Sequence, residues 1–481
     1  MVYALIAVGT ALVFLIAVIL IRTLLFRPTR TPIPTAEPIE FDADAAVDAL
    51  AQLVRCRTVS RRARDDGAED EGEFERLYEL LPTLYPRVFE VCKLTRLPDR
   101  ALLFRWRGKN DGEPAVLMAH YDVVPADEQK WEKPPFCGEI ADGVLWGRGS
   151  LDTKVTFNGI LFSANHLIGE GYVPQNDIYF AFSGGEEVNG EGALHIVNYF
   201  KERAITPAFV LDEGGAVVEN VFPGVKSPSA MIGIAEKGIL DVEYLVKSNG
   251  GHASAPGPHT PVGVLSAAAV RVESHPFPTH LTPPVSAMFN TLVRHSSFLY
   301  RMIFANLWLF YPVLDLLCKR MGGELNALMR TTVAFTQMKG SDASNVIPPE
   351  ATMVSNLRLN PTDTVASALR RLERTIGNKD VKLRVLHSME PSRISATDTA
   401  GYRKVTAAIA KTWRGALITP YLMVQCSDSR HYGAISDRVY RFSAMDLTAE
   451  ERQSIHGNNE RIRLDCVRRA NEFFIRLIKT C

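Results

Sequence analysis

The sequence predicts an α/β protein whose mostly parallel sheet is interrupted by an inserted α+β domain and preceded by a transmembrane helix. Three observations predict this fold. An uncharged apolar run opens the chain, and short apolar runs alternate with helical patterns over residues 42–232. From about Ile234 a half-buried strand pattern and a long apolar, helix-rich stretch replace that alternation. Alternating strands and helices are typical of a parallel sheet with helices on both faces.

The first 22 residues predict a single-pass membrane anchor. Val2 to Ile21 carries no charge, and about 20 apolar residues span a bilayer core as a helix. A cleaved signal peptide is the alternative, but no basic segment precedes the run and Arg22 stands where a small-residue cleavage site would lie. A proline-containing linker is predicted at 23–41. Arg22 and Arg27 favour a cytoplasmic body by the positive-inside rule, which leaves the side of the membrane open.

The composition is that of a globular protein with a sizeable core. Of 481 residues, 46% are apolar and 22% charged, close to the averages for soluble domains. Basic and acidic residues balance at 54 each, so electrostatics gives no support for a nucleic-acid partner. The seven cysteines lie far apart and form no CxxC pair, which argues against a cysteine-bound zinc cluster and a dense disulfide framework.

The strand and helix patterns set the expected domain boundaries. Strands are predicted at Ala115 to Ala119, Ile178 to Phe182 and Ala208 to Leu211, with helices at Lys154 to Ile168 and Glu191 to Lys201 between them. These elements form the first part of the α/β domain, at 42–232. The inserted domain is expected at 233–360, with strands near both of its ends. Helical patterns then complete the α/β domain at 361–481.

Histidines and carboxylates follow three of the predicted strands at the points where they end. His120 and Asp122 follow the first strand, Glu186 and Glu187 follow the second, and Asp212 ends the third. Open α/β sheets bind ligands beyond the carboxyl ends of their strands, so we expect these side chains to converge. Taken singly, each has an ordinary explanation, such as a packed histidine or a solvated helix start. Their order along the chain argues for a site.

Two further residues complete a metal-ligand set. Asp152 lies in the glycine-rich loop Gly147 to Lys154, and His456 comes from near the C-terminus. Two histidines with several carboxylates suit zinc, manganese or cobalt in a hydrolytic site, and two such ions can share one carboxylate. The sequence therefore predicts that five residues converge on one metal site: His120, Asp152, Glu187, Asp212 and His456.

The motifs occur in the order found in the co-catalytic zinc exopeptidase and aminoacylase family, which the chain resembles from about Phe41 onward. They are His120-x-Asp122, Gly147-Arg148-Gly149-x-x-Asp152-x-Lys154, Glu186-Glu187, Asp212-Glu213-Gly214-Gly215, Gly250-Gly251-His252-Ala253-Ser254 and His456-Gly457. The segments Met321 to Leu328 and Asp342 to Pro348 are most similar to the branch that holds carboxypeptidase S and the N-fatty-acyl-amino-acid synthase/hydrolase. The resemblance implies a zinc-exopeptidase-like fold whose insert serves as a lid or dimerisation domain.

The resemblance also implies a role for each ligand residue. His120 and Asp212 would complete one metal and Glu187 and His456 the other, with Asp152 bridging two Zn²⁺ ions, for which Mn²⁺ or Co²⁺ are alternatives. Asp122 would accept a hydrogen bond from His120 and fix its tautomer. A cis peptide bond between Asp152 and Thr153 is implied as well.

Five residues would act on the substrate or the proton transfers, again by resemblance. Glu186 would be the general base, and His252 would stabilise the oxyanion. Asn345 and Arg358 would hold a free carboxylate, with Arg430 as a second contact. In dimeric relatives the equivalent of His252 comes from the partner subunit, so the chain is expected to be a monomer or a homodimer through the insert.

The function implied is that of a metal-dependent hydrolase of amide bonds next to a free carboxylate. Its substrates would be N-acyl amino acids, with long-chain N-fatty-acyl amino acids and a reversible reaction among the options, or peptides with a free C-terminus. The alternatives are an amino-acid deacetylase or deacylase of small-molecule metabolism and a non-catalytic binding module on the same fold. The filled base and ligand positions speak against the last of these. The resemblance favours an extracytoplasmic body.

The run from Phe298 to Leu317 is unusually apolar for an exposed insert. Ordinary core is one interpretation, and a second membrane span is disfavoured because Arg301, Asn306 and Asp315 interrupt the run. We expect Pro312 to divide it into two short helices. The hypothesis is that these helices form an apolar surface or groove, near the active site, that receives a long acyl chain.

Overall fold

The computed structural model describes residues 1–28, 33–61, 70–222 and 224–481. Part of the predicted linker therefore lies outside the described residues. The α-helices found in these ranges are Val2–Leu25, Ala43–Val54, Glu71–Leu84, Pro86–Val91, Lys154–Gly169, Gly192–Glu202, Pro261–Ser274, Pro283–Leu292, Phe298–Ala305, Leu307–Met321, Gly323–Met329, Val365–Ile376, Ala400–Thr412, Ala449–Ser454 and Leu464–Ile478.

A large sheet forms the centre of the molecule, and within the described residues it has eight strands. Their spatial order is Lys93–Leu97, Ala101–Trp106, Ile178–Ser183, Ala115–His120, Phe209–Val218, Val439–Leu447, Ser229–Glu236 and Leu417–Met423. Ala115–His120 pairs in parallel with both of its neighbours, and Phe209–Val218 pairs in parallel with Val439–Leu447. The predicted α/β fold with a mostly parallel sheet is confirmed.

Helices cover both faces of this sheet, as the uniformly apolar strands require. All six residues of Ala115–His120 are buried. Successive side chains of a strand point to opposite faces, and here Leu117 joins the core below Lys154–Gly169 while Val116 joins the one below Gly192–Glu202. Leu464–Ile478 packs beside Lys154–Gly169. The two cores hold the strand ends in place, and those ends carry the candidate site.

A second, antiparallel sheet has its own core. Its strands, in spatial order among the described residues, are Thr332–Lys339, Glu350–Leu359, Gly238–Lys247 and Lys382–Met389. Pro261–Ser274 and Val365–Ile376 pack on it. The expected boundary at 360 therefore falls inside this unit, which continues to Met389. The last strand is mostly exposed, so no apolar alternation marked it in the sequence.

Two other parts of the chain differ from the expected layout. Pro283–Leu292, inside the predicted insert, packs against the strand Leu417–Met423 of the central sheet, and its buried side chains join the main core. In addition, Leu417–Met423 and Val439–Leu447 are strands of the central sheet, although helical patterns were expected there. Both are short apolar segments, for which periodicity does not distinguish a strand from a buried helix.

The apolar run forms two helices, but Asn306 divides them rather than Pro312. Phe298–Ala305 and Leu307–Met321 meet at a bend of 107°. Asn306 leaves helical geometry with φ −123° and ψ 37°, and its side-chain amide donates to the carbonyl oxygen of Met302 at 2.8 Å. Pro312 lies exposed inside the second helix. The short polar side chain of Asn306 competes for backbone hydrogen bonds and ends the first helix.

The helix Val2–Leu25 is long and apolar enough to cross a membrane, with a mean hydropathy of 3.0 over its apolar window. Its outer part is exposed, whereas Thr23 in its last turn is fully buried against the body of the protein.

Gly215 should be intolerant of any side chain, because a Cβ atom there would lie 1.7 Å from the carbonyl oxygen of Met231 on the neighbouring strand. We expect Gly215→Ala to lower the free energy of unfolding by about 3 kcal/mol or more. Gly257→Ala is the matched control, because a Cβ there meets no atom within 4 Å. Chemical denaturation of both variants checks this, and equal stability would contradict the strand packing described.

Candidate active site

His120 stands at the end of a central strand with one ring nitrogen already engaged. Its Nδ1 lies 3.0 Å from the carbonyl oxygen of Asp122 and 3.3 Å from the Oδ1 of Asp122. Its Nε2 lies 3.1 Å from Oδ1 of Asp152 and 3.2 Å from Oε1 of Glu213. The ring is buried. Such an arrangement fixes the tautomer and leaves Nε2 free to bind a metal.

His456 approaches the same aspartate from the opposite end of the sequence. Its Nε2 lies 3.1 Å from both Oδ2 of Asp152 and Oε1 of Glu187. Asp152 therefore presents one carboxylate oxygen to each histidine. The ligand atoms of His120, Asp152 and Glu213 lie within 4.8 Å of one another, and so do those of Asp152, Glu187 and His456. Two such groups sharing one carboxylate have the donor set and layout of a two-metal site.

Four of the five predicted ligand residues thus come together, and Asp212 does not join them. Its buried carboxylate instead accepts a hydrogen bond from the backbone N–H of Ser429 at 2.9 Å. Glu213 occupies the position expected for Asp212. Neighbouring residues of a strand point to opposite sides, so only one of the two acidic residues can face His120, and the structure gives that position to Glu213.

Asp122 connects His120 to the turn that carries Glu186 and Glu187. Besides its contacts with His120, it accepts hydrogen bonds from the backbone N–H groups of Glu186 and Glu187, each at 3.2 Å. The hydroxyl of Ser60 donates to it at 2.6 Å. Asp122 is fully buried, so each oxygen is satisfied by the protein. Ser60 was not found from the sequence, because it lies in no motif and far from the other residues.

A second buried carboxylate, Glu460, holds the loops of Asp152 and His456 together. It accepts from the backbone N–H groups of Leu151 at 2.8 Å and Asp152 at 3.3 Å. Arg148 pairs with it at 2.7 Å and donates to the carbonyl oxygen of Gly457 at 2.8 Å. Sequence reasoning missed Glu460, although Arg148 in the Gly-Arg-Gly motif signalled the need for a buried anion. The Asp152–Thr153 peptide bond is cis, so that prediction is confirmed.

Crowded carboxylates dominate the electrostatics of the site. Burial raises the pKa of Glu186 well above its usual range, opposed by His120 and reinforced by the charges of Asp428 and Glu213. Burial likewise raises the pKa of Glu213 to about 8. The hydrogen bonds to Asp152 and Glu187 raise the pKa of His456 to about 10. Without bound cations, protons on the histidines and carboxylates must compensate this negative charge.

His252 and Asn345 lie together on the second unit. The short strands Gly251–His252 and Val346–Ile347 pair, and the backbone N–H of Ala253 donates to the carbonyl oxygen of Asn345 at 2.9 Å. Both side chains are exposed. Within the described residues, no side-chain hydrogen bond or ion pair joins either of them to the metal-ligand residues.

Arg358 and Arg430 flank the segment that contacts Asp212. Arg358 Nη1 lies 3.8 Å from Sγ of Cys426, and Arg430 donates to the carbonyl oxygen of Ser427 at 3.1 Å. The same segment is anchored by Glu236, which accepts from the hydroxyl of Ser427 at 2.7 Å. Both arginines are partly buried.

Lys237 is a further buried cation beside Arg358 that the sequence did not indicate. Its Nζ donates to the carbonyl oxygens of Ala327 at 2.7 Å and Arg330 at 2.8 Å. Burial, with the charge of Arg358, lowers the pKa of Lys237 to about 7. The Met321 to Leu328 motif therefore reaches the neighbourhood of Arg358 through its backbone.

The mostly parallel sheet and the cluster of histidines and carboxylates at its strand ends are those of a metal-dependent hydrolase. Residues 116–480 match the profile of the peptidase family M20/M25/M40, and the chain belongs to this family.

Known proteins of similar sequence align with nearly the whole length of the chain. The chain is 36% identical over 480 residues to the N-fatty-acyl-amino acid synthase/hydrolase PM20D1 of Xenopus tropicalis, covering 97% of this chain and 93% of the relative. It is 32% identical to the probable carboxypeptidase S-like 2 of Dictyostelium discoideum, covering 98% and 93%. Among solved structures, the M20 family metallo-carboxypeptidase Sso-CP2 of Sulfolobus solfataricus has a TM-score of 0.65 at 17% identity, covering 90% of this chain and 98% of that chain. This last likeness concerns the fold.

Glu213 and Asp212 should differ in their effect on metal binding. We expect Glu213→Gln to weaken binding by more than the roughly 10- to 100-fold typical of residues behind the ligands, and Asp212→Asn to stay within that range. Metal analysis and chelator competition on both purified variants would measure this. A larger loss for Asp212→Asn would restore the assignment expected from the sequence.

Metal affinity should also rise with pH. The raised pKa of His456, about 10, means that an incoming ion must displace a proton at neutral pH. The affinity for Zn²⁺ should then increase by about tenfold per pH unit for each proton released between roughly pH 6 and 9. The same proton stabilises the metal-free protein below the ordinary pKa of 6.5, and this contribution is lost as the pH rises through about 10.

The zinc affinity is measured by competition with a chelator whose own protonation is known, repeated across this pH range. A flat profile after correction for the chelator would contradict the protonated state described for His456.

Proposed function

We propose that this protein hydrolyses the amide bond of N-acyl amino acids at a two-zinc centre built from His120, Asp152, Glu187, Glu213 and His456. The observation that carries the proposal is that Asp152 offers one oxygen to each histidine, at 3.1 Å in both cases. A mixed set of imidazoles and carboxylates suits zinc, and a shared carboxylate suits two ions. Asp212 would act behind Glu213, through the Ser427 to Arg430 segment.

When bound, the zinc ions would supply Lewis acidity and lower the pKa of water. Glu186 would take a proton from the attacking water and deliver it to the leaving amine nitrogen. The raised pKa of Glu186 supports this role, because it makes the carboxylate a stronger base than an ordinary glutamate. Asp122 would fix the positions of His120 and Glu186 relative to each other, because it is hydrogen-bonded to both.

The free carboxylate of the substrate would be held by Arg358 and Asn345, with Arg430 as a further contact. A guanidinium matches a carboxylate in two-point geometry. His252 would stabilise the oxyanion, and its exposure fits a residue that reaches the site by closure of the second unit or from the other subunit of a homodimer. The helix Val2–Leu25 would anchor the protein in a membrane.

Peptides with a free C-terminus are the second candidate substrates. They carry the same carboxylate, and two relatives are named carboxypeptidase S-like. The two classes differ in the group on the other side of the amide bond, which is an acyl chain in one and an amino acid in the other.

Glu186→Gln should abolish turnover while metal content stays near normal, because an amide cannot accept the proton. The expected loss in kcat is about 100- to 10,000-fold. Turnover and metal content of the same preparation, with Glu191→Gln as a control on an exposed carboxylate, give the comparison. Unchanged turnover would remove Glu186 from the mechanism.

An acyl-length series distinguishes the two substrate classes. For N-acyl phenylalanines from acetyl to oleoyl, kcat/KM should rise with chain length, because burying each CH₂ contributes about 0.8 kcal/mol. The matching N-acyl phenylalanine amides should react poorly because they lack the carboxylate. If kcat/KM is higher for dipeptides than for every N-acyl substrate, the protein is a carboxypeptidase rather than a hydrolase of N-acyl amino acids. If the activity is unchanged after a chelator removes the metal, the proposal of a metal-dependent reaction is wrong.

A further inference from the structure

The helix Leu307–Met321 is apolar on the face that points away from the protein. Trp308, Val313, Leu316 and Leu317 expose 47–57% of their surfaces, and Met321 exposes 80%. Leu314 and Cys318, on the opposite face, are buried in the main core. Apolar side chains therefore lie on both faces of the helix between Leu307 and Leu317, a pattern typical of an interior or a membrane, yet its outer face is open.

The preceding helix, Phe298–Ala305, extends the same apolar surface. Phe298, Leu299 and Tyr300 are exposed, whereas Phe304 and Ala305 are buried. We call the exposed apolar side chains of the two helices the apolar shelf; its members are Phe298, Leu299, Tyr300, Trp308, Val313, Leu316, Leu317 and Met321. A contiguous apolar surface of this kind marks an interaction site.

The corner between the two helices binds the last turns of the N-terminal helix. Arg22 donates through Nε and Nη2 to the carbonyl oxygen of Ala305, both at 3.1 Å. Asn306 donates to the carbonyl oxygen of Ile19 and to Oγ1 of Thr23, both at 3.3 Å. The two side chains Thr23 and Asn306 are fully buried in this contact. The N-terminal helix and the shelf therefore have a fixed relation.

A second contact lies just beyond the end of the N-terminal helix. Arg294 donates to the carbonyl oxygen of Arg27 at 3.1 Å, and its guanidinium stacks 4.3 Å from the centre of the Phe26 ring. The chain leaving the helix is thus held against the body by two separate sets of contacts, rather than only through the corner at Asn306.

The length of the N-terminal helix sets the level of the shelf in a membrane. The apolar residues 2–21 rise about 30 Å at 1.5 Å per residue, which is the thickness of a bilayer core. Arg22 and Thr23 then fall at the boundary between the acyl chains and the headgroups. Because these residues are bonded to Ala305 and Asn306, the part of the shelf beside that corner lies at the same boundary.

We propose that the apolar shelf inserts into the surface of a phospholipid bilayer and forms a second, interfacial membrane contact beside the anchor. This inference rests on the proposed anchoring by Val2–Leu25. The shelf has the composition of an interfacial surface, with Trp308 and Tyr300 suited to the headgroup level and long apolar side chains suited to shallow insertion. Arg320, at the end of the second helix, is exposed and can reach lipid phosphates, whereas Lys319 pairs with Asp315 at 2.7 Å.

The bilayer fits the shelf better than the other occupants. A bound acyl chain of the substrate needs a groove, whereas these side chains project from two helices that diverge by 107°. A second copy of the chain would have to approach beside a membrane helix that is already in contact with the corner. The surface continues directly from the apolar helix, and a membrane around that helix would cover it without any further partner.

Lipid-dependent quenching of Trp308 tests the proposal on the full chain. The protein is reconstituted into phosphatidylcholine vesicles with bromine at defined positions of the acyl chains, and tryptophan fluorescence is compared with unbrominated vesicles. We expect quenching in the wild type, strongest for bromine near the headgroup, and its loss in Trp308→Phe. Trp146→Phe should leave the quenching unchanged, because Trp146 packs against Lys133 and Arg461 and is not part of the shelf.

Flotation of the same vesicles separates this inference from the anchoring on which it rests. Protein that floats with the vesicles but shows no quenching dependent on Trp308 would overturn the shelf alone. Protein that does not float would overturn the anchor and the shelf together. If quenching is absent while crosslinking through Leu316→Cys links two chains, the shelf is a contact between copies. The variants Trp308→Phe and Leu316→Cys affect exposed positions, so both should fold.

Discussion

Repulsion among buried carboxylates is the constraint on which the arrangement of the site depends. Asp152, Glu186, Glu187 and Glu213 converge where strands of the central sheet end, and burial raises the pKa of three of them. Such a cluster is costly unless cations or protons compensate it. The two histidines supply that compensation in the protein alone, and metal ions would supply it in the working enzyme.

Fully buried carboxylates that contact the ligand residues or their loops keep this unfavourable cluster in place. Asp122 and Glu460 are completely satisfied by protein groups, through Ser60 in one case and Arg148 in the other. The buried pair of Arg441 and Glu236, at 2.6 Å, does the same for the segment behind Asp212. Removing one member of such a pair leaves an uncompensated charge, which costs more than the pair itself contributes. The interactions that stabilise the arrangement of the site are therefore made by residues that would never touch a substrate.

The sequence predicted the central fold and most of the candidate site, because both leave local marks. The strand Ala115–His120 is apolar at almost every position, and the polar residues follow directly where it ends. The choice between Asp212 and Glu213 could not be made in this way. It depends on which residues of the strand face His120. The Gly-Gly pair that follows has no side chains, so it shows no alternation of apolar and polar residues from which to predict the facing residues.

Other features left no local mark. Ser60 and Glu460 reach the site from opposite ends of the chain, and only the fold brings them together. The strand Lys382–Met389 has mostly exposed side chains, so the boundary of the second unit could not be read from its pattern. At the apolar run, propensity favoured a break at Pro312, but the hydrogen bonds of Asn306 with Met302 and the N-terminal helix decided where the chain turns.

The contact between Arg22 and the corner at Asn306 also determines how the protein would meet its substrates. An enzyme on a loose tether tumbles above a membrane and samples the solution around it. Here the helix end is bonded to the body, and the helix Gly323–Met329 carries the backbone of that region on to Lys237 beside Arg358. With the helix in a membrane as proposed, the region around Arg358 would keep a fixed height above the lipid. With the helix anchored as proposed, the encounter with an amphiphilic substrate would become a search in two dimensions, governed by its mole fraction in the leaflet, so added inert lipid would dilute it even at constant bulk concentration.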